Sequence, residues 1–330
     1  MTIETRAYAR AGLLGNPSDG YGGKAIAVTV KNFYAQVRIE PSETLRIEPR
    51  DEDLGVYPGL KELVSRVKLH GYYGGDRLVK AAIVKFHDHC ESRSIGLDAG
   101  NFTVSYHSTI PRQVGLAGSS AIITATMRAL MQFFKREIPI ESLPSVILSA
   151  ETEELGINAG LMDRVTQVYE GCMYMDLDPW LVESEGHGNY ERLEPKAWPD
   201  LYLAYNTGLG KVSGHVLGDI RKRFDAGDHF VLEILSRLAA LAEEGRQALL
   251  AGDGERFSML MNENFDLRSW IMRITEGNRR MIDAARACGA SAKFAGSGGT
   301  IIGIYKGEEM FEALTRSLAK TGATVVKPIL

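Results

Sequence analysis

The sequence predicts an α/β chain, α+β in detail, on three observations. Segments with apolar residues two apart alternate with segments of helical spacing through the first half. A strand, a glycine- and serine-rich loop and a long apolar helix follow one another over residues 102–134. The C-terminal end reads strand, strand, helix, strand. A chain of 330 residues, 45% hydrophobic and 24% charged, has material for one large domain or two medium ones. The pattern weakens over Pro179–Pro199, around Gly186-His-Gly188 and two tryptophans, which sets an expected division into 1–195 and 196–330.

Residues 3–50 open as strands. A glycine-dense break, Arg10–Lys24, precedes two expected strands, Ala25–Val30 and Phe33–Ile39. The break holds Arg10, Asn16, Ser18, Asp19, Tyr21 and Lys24 beside turn residues, and reads equally as a solvated hairpin connection or a polar binding loop. Residues 51–74 read as loop, with Pro58 and the run Gly71–Gly75. Asp76 suits the cap of a helix to about Cys90, on which Leu78, Ala82, Ile83 and Phe86 have helical spacing. His87 and His89, near its end, share no face and are expected at the surface.

Phe102, Val104, Tyr106, Ser108 and Ile110 then alternate as a strand ended by Pro111. Gly115, Gly118, Ser119 and Ser120 follow, and an apolar run begins at Ala121. Glycines let backbone approach an anion, and the first N–H groups of a helix point at it with the positive end of the dipole behind them. A capped helix start would show the same residues. No GxxxxGK[ST] phosphate loop occurs.

Ser142 suits the cap of a helix over Leu143–Leu155, and Leu161–Glu170 reads as another. On the latter, Leu161, Val165, Val168 and Tyr169 mark the buried side, and Asp163, Thr166, Gln167 and Glu170 the other. Asp163 falls in the first turn, where the helix dipole favours an anion. Strands are expected at Cys172–Leu177 and Leu201–Tyr205. The polar loop Asn206–Gly214 leads to a helix at Val216–Phe224. Helices are expected over Asp228–Leu250, Glu255–Phe265 and Leu267–Cys288, the last with a break near Gly277. Ser291–Ala295 and Gly299–Tyr305 are strands around Gly296-Ser-Gly-Gly299, followed by a helix at 308–320 and a strand at Thr324–Lys327.

The net charge of −4, with no basic run, argues against nucleic acid as a partner. No apolar run reaches the ~18 residues of a membrane span, and the N-terminus has no signal-peptide core. Cys90, Cys172 and Cys288 lack metal-ligand spacing and suit reduced thiols in a cytoplasmic protein.

Three glycine-rich segments stand in order: ARAGLLGNPSDGYGG, PRQVGLAGSSAIITA and KFAGSGGTIIGIY. A fourth block, AETEELGINAGLMDRVTQVYEG, carries Glu151, Gly160 and Asp163. Together they resemble the GHMP kinase superfamily, small-molecule kinases named for galactose, homoserine, mevalonate and phosphomevalonate. The resemblance spans nearly the whole chain. It implies a two-lobed fold, with an N-terminal mixed-sheet lobe carrying the phosphate loop and a C-terminal ferredoxin-like lobe. The nearest likeness is to members that phosphorylate the anomeric hydroxyl of D-glucuronate. A heptose 7-phosphate is the alternative acceptor, and a non-catalytic nucleotide or sugar sensor the alternative of another class.

The resemblance implies ATP and Mg²⁺ as cofactors, a small sugar or uronic acid as substrate, and a monomer or homodimer. It implies that Gly115, Leu116, Ala117, Gly118, Ser119 and Ser120 wrap the ATP phosphates, with Ser120 and Glu151 on the metal. Asp163 is the implied general base and Arg10 the cation beside it. Asp19, Asn16 and Gly298 are implied at the substrate. A substrate carboxylate would want a cation, for which Arg112, Arg164 and Lys211 are the candidates; Arg112 and Arg164 read equally as structural ion-pair partners. The chain departs from galactokinases, which carry Glu-His where it has Asn16-Pro17, and has Tyr8-Ala9 in place of the usual Pro-Gly before the cationic residue.

Overall fold

The two longest strands, β1 (Ile3–Leu14) and β2 (Lys24–Ser42), change character along their length. Ala25–Val30 is buried throughout, as in a strand covered on both faces. Further on, Ala35, Val37 and Ile39 point inward while Arg38 is exposed, the alternation of a strand with one wet face. The two strands expected here are therefore one. Asn32 would suit a turn, but the C-terminal tail holds Lys31 and Asn32 extended: Lys31 N–H donates to the Ile329 carbonyl (2.7 Å), and the Asn32 amide spans Lys327 O and Ile329 N.

This computed structural model describes residues 1–48, 74–212 and 220–330. Packing divides the chain into two interleaved units, and β1 and β2 contribute to both.

One unit comprises Met1–Ala7, Phe33–Ile110 and Gly118–Ala159. Here β2 pairs antiparallel with β4 (Asn101–Ser108), and the short β3 (Arg46–Ile47) pairs parallel with β4. Among the described residues three helices complete it: α1 (Asp76–Glu91), α2 (Gly118–Phe134) and α3 (Leu143–Thr152). The rings of Phe86, Phe102, Phe133 and Phe134 pack with centroids 5.0–6.0 Å apart. Asp76 opens α1 without capping it and pairs with Lys80 one turn on (2.8 Å). The cap position is Gly75, where a Cβ would stand 1.9 Å from the Tyr106 hydroxyl. His89 is buried, contrary to its expected surface position, and His87 is exposed. The loop expected at 51–74 lies, up to residue 73, outside the described residues.

The other unit comprises Tyr8–Asn32, Pro111–Ala117 and Gly160–Leu330. β5 (Cys172–Asp176) pairs antiparallel with Lys24–Val28 of β2 and with β6 (Asn189–Leu193). It carries α4 (Leu161–Tyr169) and α5 (Pro179–Glu185), the latter capped by the Asp178 carboxylate on Trp180 N–H (2.9 Å). A second sheet holds β7 (Leu201–Tyr205), β8 (Lys293–Phe294), β9 (Thr300–Ile304) and β10 (Thr324–Val326) in the order β10-β7-β9-β8, antiparallel throughout. Numbered within the sheet this is 4-1-3-2, the ferredoxin-like order.

Helices α6 (His229–Ala251), α7 (Gly254–Ile271) and α8 (Glu276–Ala287) lie between its first two strands, and α9 (Gly307–Ala319) between its last two. Tyr202, Phe265, Met281, Ile282, Ile301, Leu314 and Leu318 form the core. α7 runs through the break expected at Asp266, and the expected helix 267–288 is interrupted earlier than Gly277. Met272 is extended, and α8 restarts after Thr275. Gly277 sits inside α8 because Leu209 packs where its side chain would be (2.5 Å from a Cβ). Of the helix expected at Val216–Phe224, residues 216–219 lie outside the described residues, and 220–225 are helical. Among the described residues no helix is long and apolar enough to cross a membrane.

Candidate active site

Three glycine-rich segments meet in the second unit. Gly12 N–H donates to the Ala295 carbonyl (2.7 Å), joining the end of β1 to the segment after β8. A Cβ on Gly296 would fall 2.1 Å from the Gly115 carbonyl oxygen, so only glycine admits this approach. Gly115 itself is left-handed (φ 74), and a Cβ on it would meet Ser297 N at 2.8 Å. Gly298 (φ 131) lies near the Asn278 amide, which accepts from Gly299 N–H (2.9 Å).

Arg10 stands at the centre of this junction. Its Nη1 donates to the carbonyls of Gly115 (2.8 Å) and Ala295 (3.1 Å), and its Nε to Asp163 Oδ1 at 2.6 Å. The first turn of α4 presents Asp163, and Arg164 approaches its other oxygen at 3.5 Å while donating to Gly160 O (2.7 Å). α4 is not the half-exposed helix its pattern suggests. Thr166 and Gln167, placed on the polar side, are buried, and Gln167 donates to the Ala117 carbonyl (2.9 Å). The polar side of α4 is thus turned to the loop that enters α2.

Asp19 lies in a short 3-10 turn, Ser18–Tyr21, and its Oδ2 would be 3.1 Å from a Cβ on Gly160. Burial, and then the nearby charge of Asp163, push its carboxyl up to about 6, against the pull of Arg10 and Arg268. Asn16 is buried; its carbonyl accepts from Asn264 (3.1 Å) and its side-chain oxygen from Lys293 (2.7 Å).

Leu116 is buried and its carbonyl accepts from Arg10 N–H (3.4 Å); Ala117 is left-handed (φ 62). Arg112 is exposed. Lys211 falls in a 3-10 segment, Thr207–Val212, and its side chain lies outside the described residues.

In the first unit, Gly118 opens α2 beside Ile110. The Ser119 hydroxyl donates to Glu151 Oε1 at 2.7 Å, and Ser120 and Glu151 are both fully buried.

This architecture has known counterparts. The N-terminal domain of GHMP kinases matches residues 77–171 and the C-terminal domain residues 246–324. Glucuronokinase 1 of Arabidopsis thaliana is 41% identical over 330 residues, covering 98% of this chain and 91% of that protein. The chain belongs to the GHMP kinase family. A more distant GHMP kinase, the mevalonate kinase of Pyrococcus furiosus, is 24% identical over 91% of this chain and 87% of its own. The solved phosphomevalonate kinase of Streptococcus pneumoniae shares the fold over 100% of both chains, with a TM-score of 0.76 at 15% identity.

Two charged residues of this GHMP kinase escaped the sequence reading. Arg268, on α7, is 2% exposed and donates to Gly296 O (2.8 Å). Lys293, on β8, is 1% exposed and donates to three oxygens: Gly12 O (2.8 Å), Asn16 Oδ1 (2.7 Å) and Phe294 O (2.7 Å). Burial lowers Arg268 to about 10, Arg164 to about 9, and Lys293 well below its ordinary value. A signal existed: Asn264 and Arg268 interrupt the apolar stripe of α7 at i, i+4, and Lys293 interrupts an otherwise small and apolar strand.

Proposed function

We propose that the protein is an ATP- and Mg²⁺-dependent sugar 1-kinase that phosphorylates the anomeric hydroxyl of D-glucuronate. The observation that carries the chemistry is the Arg10–Asp163 pair at 2.6 Å, set beside Asp19. The choice of acceptor is supported by the 41% identity to Glucuronokinase 1. On this reading residues 1–195 form the ATP-binding domain and 196–330 the C-terminal domain. The two family matches fall on either side of that boundary.

Asp163 takes the proton of the acceptor hydroxyl as its oxygen attacks the γ-phosphorus. The bond from that phosphorus to the β–γ bridging oxygen breaks, and ADP leaves. Arg10 orients Asp163 through the Nε–Oδ1 hydrogen bond and stabilises charge on the transferring group. Asp19 accepts from sugar hydroxyls, and Asn16, Arg164, Lys211 and Gly298 complete the substrate side. Residues Gly115–Ser120 bind the phosphates with N–H groups at the start of α2.

The carboxylate of Glu151 and the serine hydroxyls at the start of α2 are hard oxygen donors, a set that fits Mg²⁺. Ser120 and Glu151 would hold the ion, which neutralises phosphate charge when bound. The proposed setting is the cytoplasm, as a monomer or homodimer, and the three cysteines are free thiols.

Asp163→Ala tests the central role. Turnover of D-glucuronate with Mg-ATP is expected to fall at least ~10²-fold, while the sugar still binds. Turnover near the wild-type rate would exclude Asp163 as the base.

A further inference from the structure

Four cations, Arg10, Arg164, Arg268 and Lys293, converge on two carboxylates, Asp19 and Asp163. Buried positive charge in excess costs free energy unless an anion completes the site.

The donors of these cations can be followed one by one. A lysine ammonium has three N–H groups, and those of Lys293 meet three oxygens. Arg10 spends Nε and Nη1 on Asp163, Gly115 and Ala295. Arg164 is engaged with Gly160 O and Asp163. Arg268 differs. Its Nε meets only the Met272 sulfur (2.9 Å), a weak acceptor, and its Nη1 meets Gly296 O. Among the described residues Nη2 has no acceptor and Arg268 forms no salt bridge.

Its placement is fixed from two sides. One turn earlier on α7, Asn264 clamps the first glycine loop, accepting from Gly15 N–H (2.8 Å) and donating to Asn16 O. Beneath the guanidinium lies the Phe294 ring, 5.3 Å from the centroid. The helix face that holds the Asn16 loop thus also carries the spare fork, within the electrostatic reach of Asp19.

We propose that Arg268 is a specificity-determining residue: its guanidinium, which pairs with no carboxylate among the described residues, takes the carboxylate of the acceptor and selects acidic sugars over neutral ones of the same shape. The inference rests on the uronate kinase reading and names the group that reads the acid. Asp19 then receives hydroxyls and Arg268 the carboxylate, so the two ends of the acceptor are distinguished by charge.

The test compares D-glucuronate with D-glucuronamide, which has the same frame without the charge. kcat and KM are measured at saturating Mg-ATP for wild type, Arg268→Met and Arg268→Lys, with a thermal melt of each. Wild type is expected to prefer glucuronate. In Arg268→Met the ratio of the two kcat/KM values falls at least ~10-fold, mainly through the KM of glucuronate, as loss of a charged hydrogen bond implies. Arg268→Lys, which keeps the charge and loses the fork, falls between. If Arg268→Met does not fold, Arg268→Lys carries the comparison. Equal losses on both sugars, with the ratio unchanged, would make Arg268 purely structural and overturn the inference alone. A wild-type enzyme that turns over neither sugar would overturn the functional reading, and this inference with it.

Discussion

Asp19 shows how one residue ties stability to function. Its carboxyl is raised from 3.8 to about 6, so the folded chain holds this proton more tightly than the unfolded chain does. The stability carried by the protonated form is complete below about 3.8 and is lost as pH rises through about 6. Asp19→Asn removes this titration. Its melting temperature relative to wild type is therefore expected to be higher at pH 7.5 than at pH 4, while its KM for sugar rises because an acceptor has become an amide. An equal offset at both pH values would show that Asp19 is not held in this state. Asp163, Arg10, Asp19 and Glu151 could be proposed from the sequence because each lies in one of the ordered motifs that resemble the family. Arg268 and Lys293 could not, because each is recognised only by what surrounds it. A lone cation in an apolar stripe looks like a boundary residue until burial and partners are known.

At the scale of elements, tight glycine junctions set the geometry. Gly296 stands so close to Gly115 that a methyl group would overlap its carbonyl. Gly296→Ala forces one loop to move, with an expected loss of about 1–3 kcal/mol, the range typical of overpacking. The shift also disturbs Arg10, whose Nη1 lies 3.1 Å from the added carbon. A chemical denaturation curve and a kcat measurement check both effects; wild-type values for both would show that the junction is loose. Helix and strand identities followed from periodicity, as for α1 and β4. The errors fell where tertiary contacts override local signals. β2 stays continuous because the tail pairs with Lys31 and Asn32. α4 buries Thr166 and Gln167 because the loop Pro111–Ala117 supplies an acceptor for Gln167.

For the whole molecule, the C-terminal sheet was foreshadowed by its closing strand, strand, helix, strand order, and the 4-1-3-2 arrangement agrees with it. The interleaving of the two packing units was not legible, because no local signal states which half of a long strand belongs to which core. Membership in the GHMP kinases leaves the acceptor as the central claim, and product analysis tests it most directly. Purified protein, Mg-ATP and D-glucuronate are followed by ³¹P NMR. The expected result is ADP with a new phosphomonoester whose phosphorus couples to the anomeric proton. No ester from glucuronate, with turnover of a neutral hexose or a heptose 7-phosphate instead, would contradict the claim.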